Sequence, residues 1–217
     1  MQKIYPNPNK LYCFYDFQVS PASYDFFTFL CSAEVSRVRR NLTEIELILV
    51  KGPIENFRGD SIRTKKVNEA FFNNVIVPGI SILPSITSFY WTSRNELNIE
   101  AMPSGQKFPR GYELHSPVAE YTAHELVAAK IRQDRPSFFS APEYAKGMVD
   151  DFIKEKVGSG PFVTVTAREI DRFNTNGTRT FDKVLWANIF EEIKNMGVAP
   201  ILIRDTAKAV GNKIFED

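Results

Sequence analysis

The sequence predicts an α/β fold, a parallel sheet with helices on both faces followed by the start of a second β–α–β unit. Three observations predict it. Short apolar runs alternate with longer stretches of helical spacing. Gly and Pro mark the joins between them. The stretches between runs are long enough for the crossover connections that parallel strands require. A chain of 217 residues suits one large domain or two small ones and can bury most of its apolar surface.

Residues 11–17 form an apolar, aromatic-rich run, expected as a buried strand that ends at Asp16 and a turn. Ser20 and Pro21 then open a helix, the serine capping free amides and the proline taking the first helical position. The helix is expected to reach about Arg40, with Phe26, Phe27, Leu30, Ala33 and Val38 roughly along one side. Residues 45–50 give a second strand, stopped by Gly52-Pro53, and complete a β–α–β unit with a right-handed crossover.

Residues 52–60 are polar and read as a loop. A helix is expected over 62–77, stopped by Pro78-Gly79, and a strand over 86–91. A surface loop over 103–111 precedes a short strand at 112–115. Helices follow over 119–132 and 142–157. Gly158-Ser159-Gly160-Pro161 is the clearest break in the chain, which sets the expected domains at 1–157 and 158–217. Beyond it come a strand at 162–167, a polar loop over 168–180 and an amphipathic helix over 181–196. Leu185, Ile189, Ile193 and Met196 share one stripe of that helix, and Gly197 ends it. A last strand begins at Pro200, with Leu202 and Ile203 expected to be buried.

Composition excludes several classes. Lys plus Arg number 27 against 26 Asp plus Glu, so a net charge of +1 gives no field that draws in nucleic acid. Arg37, Arg39 and Arg40 end a helix, where cations suit its dipole. Cys13 and Cys31 sit in apolar stretches as free thiols, which fits a reducing, cytoplasmic setting. No signal peptide and no run of ~18 apolar residues is present, so no integral membrane segment is expected. Two His and two Cys at these spacings make no zinc site, and no metal or cofactor is expected. GxSxG, Walker and GxGxxG motifs are all missing. The 18 Phe read as core.

Ligands of open parallel sheets bind at the carboxyl ends of the strands, which selects 16–20, 52–60 and 168–180. The third stretch holds Arg168, Glu169, Asn176, Gly177, Thr178 and Arg179, just before a helix. A phosphate needs amide donors, hydroxyls and a cation. A helix start and an Arg fork supply them. The same arginines equally suit pairing with Glu169, Asp171 and Asp182 in a solvated loop. Asp16 is a candidate general base, although an acid at such a place more often caps the next helix. His115 follows a short strand in a loop, as a base or without a role.

The order of strand, Arg168-Glu169, polar loop, helix and strand resembles the opening of the nucleotide-sugar-binding domain of glycosyltransferases of the two-Rossmann (GT-B) type. Phe14-Tyr15-Asp16-Phe17, through Ser20-Pro21, to Val50-Lys51-Gly52 is similar to their N-terminal, acceptor-side domain. The resemblance implies a Rossmann-like domain at 1–157 and the beginning of an incomplete nucleotide-sugar domain at 158–217. It implies transfer of a sugar from a nucleotide sugar, with Arg168 on the diphosphate. The acceptor would meet the loop after Asp16, in a cleft lined by Asp16, Arg58, Arg168 and Asn176, with Ser20 beside it. The chain departs from the family in length, since about 60 residues follow the break where such a domain spans more than ~100. The alternative is a non-enzymatic α/β module that binds a phosphorylated small molecule or a protein partner.

Overall fold

The computed structural model describes residues 2–3, 6–59, 64–120, 124–132, 138–167 and 182–204. The chain divides into two compact units, Met1–Pro142 and Glu143–Asp217. The division falls one helix earlier than the Gly158–Pro161 break, so the helix expected over 142–157 goes with the second unit.

The first unit contains strands β1 (Gln2–Lys3), β2 (Lys10–Asp16), β3 (Glu44–Val50), β4 (Ile86–Thr92), β5 (Leu97–Asn98) and β6 (Lys107–Phe108). Its helices are α1 (Asp25–Arg39), α2 (Lys65–Phe71), α3 (Val77–Ile80) and α4 (His124–Ile131). The main sheet runs β4-β3-β2-β6, and every neighbouring pair is parallel. β1 and β5 form a small parallel pair of their own.

β2 and β3 are central strands buried on both faces, which is why they read as continuous apolar runs and not as alternating ones. Leu11, Cys13, Tyr15, Ile45, Leu47 and Leu49 point to one face and pack with Phe26, Phe29 and Leu30 of α1 and with Ile76 and Ile80. The phenylalanines fill this layer edge-on: Tyr15 meets Phe17, Phe26 and Phe29 at centroid distances of 5.2, 5.1 and 5.0 Å. Tyr12, Phe14, Ile48 and Val50 point to the other face, under Leu97, Ile99, Met102 and Tyr112.

Helices therefore gather on one face of this sheet, where both faces were expected to carry them. The steps from β2 to β3 and from β3 to β4 go in the same direction, so crossovers of one hand fall on the same side. The second face is covered by the irregular return from β4 to β6, which carries β5 and short 3₁₀ turns.

Four boundaries differ from expectation for local reasons. α1 begins at Asp25, because Ser20 and Pro21 belong to the turn before it. There the Ser20 amide donates to the Asp16 carbonyl at 2.8 Å and the Tyr15 hydroxyl to the Pro21 carbonyl at 2.6 Å. Pro78 does not stop the second helix. One π-helical turn, Phe72–Ile76, leads straight into α3, whose second residue is Pro78. β6 lies within the expected loop over 103–111. Residues 112–115 form no strand, because Tyr112 turns inward instead.

The arginines that end α1 are all engaged. Arg37 pairs with buried Glu34 at 2.6 Å, Arg39 with Glu125 at 3.0 Å, and Arg40 donates to the Gly105 and Lys107 carbonyls at 2.8 and 3.0 Å.

The second unit contains α5 (Glu143–Lys156), β7 (Phe162–Thr166), α6 (Lys183–Asn195) and β8 (Ala199–Ile203). β7 and β8 pair in parallel from Phe162↔Ala199 to Thr166↔Ile203. Asp182 caps α6, and Gly197 follows its end at φ 73°, a left-handed conformation that suits glycine. The buried stripe of α6 differs from the expected one. Phe190 is buried, with Trp186 and Ile193 half-buried beside it, whereas Leu185 and Met196 are 56% and 76% exposed. Leu202 is half-buried and Ile203 is 47% exposed, against the burial expected for both. A sheet of two strands has little width to cover, and β7 is exposed along most of its length. Among the described residues no helix is long and apolar enough to cross a membrane.

Candidate functional site

Parallel pairing brings the carboxyl ends of β2, β3 and β4 to one edge of the sheet. Asp16 is the last residue of β2 and has 0% exposure. Its charge is met from three directions. The Arg94 guanidinium Nη2 donates to its two oxygens at 2.9 and 2.7 Å, the Tyr112 hydroxyl donates at 2.6 Å, and the Gln18 amide at 2.9 Å. Arg94 also donates to the Leu114 carbonyl through its other terminal nitrogen. Burial first, and the Asp16 charge second, push the Tyr112 phenol far above its ordinary range, so it stays protonated as a donor.

A general base needs a lone pair facing substrate. Asp16 offers none in this arrangement, so the structure makes it an anchor that ties β2, the turn after β4 and the segment after β6. Ser20 is buried behind the same turn, its amide on the Asp16 carbonyl. Arg58 holds the loop after β2 by donating to the Val19 carbonyl at 3.3 Å.

Beside the anchor is a cavity of about 260 Å³, lined by Gln18, Lys51, Gly52, Pro53, Asn56, Ser93 and Arg94. Its floor is a tight hairpin after β3. The Gly52 amide donates to the Asn56 carbonyl at 2.8 Å, and Ile54 and Phe57 exchange backbone bonds at 3.0 and 2.8 Å. Glycine is required at 52, since a Cβ there would stand 2.4 Å from the Phe17 carbonyl oxygen. Glu55 and Asn56 take left-handed φ values of 50° and 75° to close the turn. Phe57 anchors the hairpin, buried against Phe17, Phe72 and Trp91 at 5.4, 6.1 and 6.4 Å.

The cavity is cationic. Lys51 lies 5.6 Å above the Trp91 ring, and among the described residues no carboxylate bonds its ammonium group. Among the described residues no acidic side chain lines the cavity. Glu96 stands nearby as a cap, accepting from the Ser93 amide at 2.9 Å and the Thr92 hydroxyl at 3.1 Å. The Ser93 amide first, and Lys51 among lesser causes, hold its carboxyl below the usual range.

A second cavity of about 540 Å³ is lined by Arg94, Asn95, Leu97, Asn98, Ile99, Glu100, Leu114 and the exposed His115. Among the described residues no cluster of His, Cys, Asp and Glu suits a metal ion. Both cysteines are free. Burial raises the Cys13 thiol well above its ordinary value, and burial with Glu34 pushes Cys31 up to about 11, so neither is a nucleophile at neutral pH.

Arg168, Glu169, Asn176, Gly177, Thr178 and Arg179 lie outside the described residues. The helix they precede is described. Asp182 accepts from the Val184 and Leu185 amides at 3.0 and 3.1 Å, so two of the amides that a phosphate would use at the start of α6 already have a partner.

Lys51, Arg94 and Tyr112 lie outside the stretches that the strand-end rule selects, whereas Gln18 and Asn56 lie inside 16–20 and 52–60, where neither was singled out. Lys51, Ser93 and Arg94 carried a usable signal, because each follows a strand directly at its carboxyl end. Tyr112 carried none. Comparison with protein-family models, with curated proteins and with solved structures finds no match.

Proposed function

We propose that this chain is a glycosyltransferase of the two-Rossmann type that transfers a sugar from a nucleotide sugar, with Met1–Pro142 on the acceptor side. The strand order carries the reading. β2, β3 and β4 step outward one way, and β6 returns to the other side of β2. That order is the one expected of the first strands of a Rossmann-like sheet, and ligands of open parallel sheets gather at the carboxyl edge, which supports the reading. The Lys51 cavity lies at that edge. Its 260 Å³ falls below the several hundred typical of drug-sized ligands, which suits an acceptor ring better than a nucleotide.

In the proposed reaction an acceptor hydroxyl attacks the anomeric carbon. The bond from that carbon to the diphosphate oxygen breaks, the nucleoside diphosphate leaves with the electron pair, and the hydroxyl proton passes to a base. Arg168, two positions along the sequence from Thr166 at the end of β7, is the residue assigned to the leaving diphosphate. The described part of the first unit supplies shape and charge to this reaction. Asp16 supports it as the anchor of the edge.

The engaged state of Asp16 favours a second reading, a non-enzymatic module that holds a phosphorylated small molecule or a partner. Incubating the chain with a panel of nucleotide sugars and mixed sugar acceptors separates the two. The first reading expects acceptor-dependent release of nucleoside diphosphate. Binding without release selects the module, and neither binding nor release removes both.

A further inference from the structure

We propose that the cavity beside Lys51 selects a sugar bearing an anionic group, a carboxylate or a phosphate. The inference deepens the acceptor-side reading and rests on it for the ligand being a sugar. Its charge argument is independent of any donor. Arg94 spends one terminal nitrogen on Asp16 and the other on the Leu114 carbonyl, so that pair leaves almost no net charge at the cavity wall. Lys51 remains as a cation that, among the described residues, bonds no carboxylate. It is half-buried, and its position over Trp91 narrows the directions its ammonium can take. Gln18 and Asn56 add amide groups that can donate to or accept from sugar hydroxyls, and Ser93 adds a hydroxyl.

Glu96 attracts Lys51 through space but spends its oxygens on the Ser93 amide and the Thr92 hydroxyl, so an anion seated here meets an ammonium whose hydrogen bonds it need not take from a carboxylate. That makes the contact a charge-assisted hydrogen bond, about twice as strong as a neutral one. A neutral sugar would leave the ammonium unpaired and would gain only the amide contacts. The small volume limits the ligand to one ring or little more.

Trp91 provides the readout. The chain has two tryptophans, so Trp186→Phe leaves Trp91 as the single fluorophore. This chain is titrated separately with glucuronate, glucose 6-phosphate and glucose at equal ionic strength. Calorimetry on the unsubstituted chain repeats the measurement without relying on that substitution. The expected result is saturable binding of at least one charged sugar, with glucose weaker by roughly ten-fold or more. The tighter arm tells a carboxylate from a phosphate. Lys51→Gln should lose that preference and Lys51→Arg should keep it. Equal binding of glucose and both charged sugars, no saturable binding, or an unchanged preference in Lys51→Gln overturns the proposal. Failure of the donor reading looks different: nucleotide sugars would not react, while the charged-sugar preference and its dependence on Lys51 would persist.

Discussion

Asp16 ends a central strand without exposure, and a buried carboxylate survives only when it is paired and hydrogen-bonded. Arg94 and Tyr112 provide that pairing from 78 and 96 residues away in sequence. Removing one partner of a buried pair strands the other charge. Asp16→Ala should therefore cost about 3–5 kcal/mol in urea unfolding, and Tyr112→Phe about 1.5–3 kcal/mol. A loss under 1 kcal/mol for Asp16→Ala would show that the carboxylate is not the anchor. The phenol of Tyr112 also gives a pH signature. Its folded value is raised, so below about pH 10 it is protonated in both states and its contribution is complete. Above about pH 10 the unfolded chain releases the proton while the folded chain keeps it, and stability falls as pH rises. Tyr112→Phe should flatten that fall when urea midpoints are compared between pH 9 and about 11. Asp16 was legible as a strand-end acid, because the apolar run stops there. Its partners were not, since nothing local links residues 16, 94 and 112.

At the scale of elements, the strands were the most legible part. The expected runs at 11–17, 45–50, 86–91 and 162–167 match β2, β3, β4 and β7 to within one residue at each end. Apolar runs of that length carry a clear signal because both faces of β2 and β3 are buried. β6 has two residues and bonds only through Tyr12↔Lys107 and Cys13↔Phe108, too short for any periodicity to mark it. The start of α1 misled for a related reason. Ser-Pro is a sound cap signal, but here the β2 turn takes both residues. The hairpin after β3 supplies a test at this scale. A methyl at Gly52 would meet the Phe17 and Phe57 backbones, which cannot swing aside as a side chain can. Gly52→Ala should destabilise by about 1–3 kcal/mol, the cost of overpacking, and should abolish the charged-sugar response of Trp91. Retention of both stability and response would mean that the hairpin does not shape the cavity.

For the whole molecule, the parallel α/β character was legible from alternation alone, and the placement of helices on one face was not. Handedness rules fix where each crossover goes, but only strand order says whether successive crossovers share a side. The boundary between units was displaced by one helix, because a glycine-rich break marks a turn and does not reveal which unit owns the helix before it. Donor binding at Arg168 is tested most directly by calorimetric titration of the whole chain with a panel of nucleoside diphosphates, run in parallel on Arg168→Ala. One-to-one binding of at least one member is expected, weakened by about 1.5–3 kcal/mol in Arg168→Ala, the scale of a hydrogen bond to a charged group, with Tm unchanged. No binding by any member, or equal binding by the parent and Arg168→Ala, would contradict it.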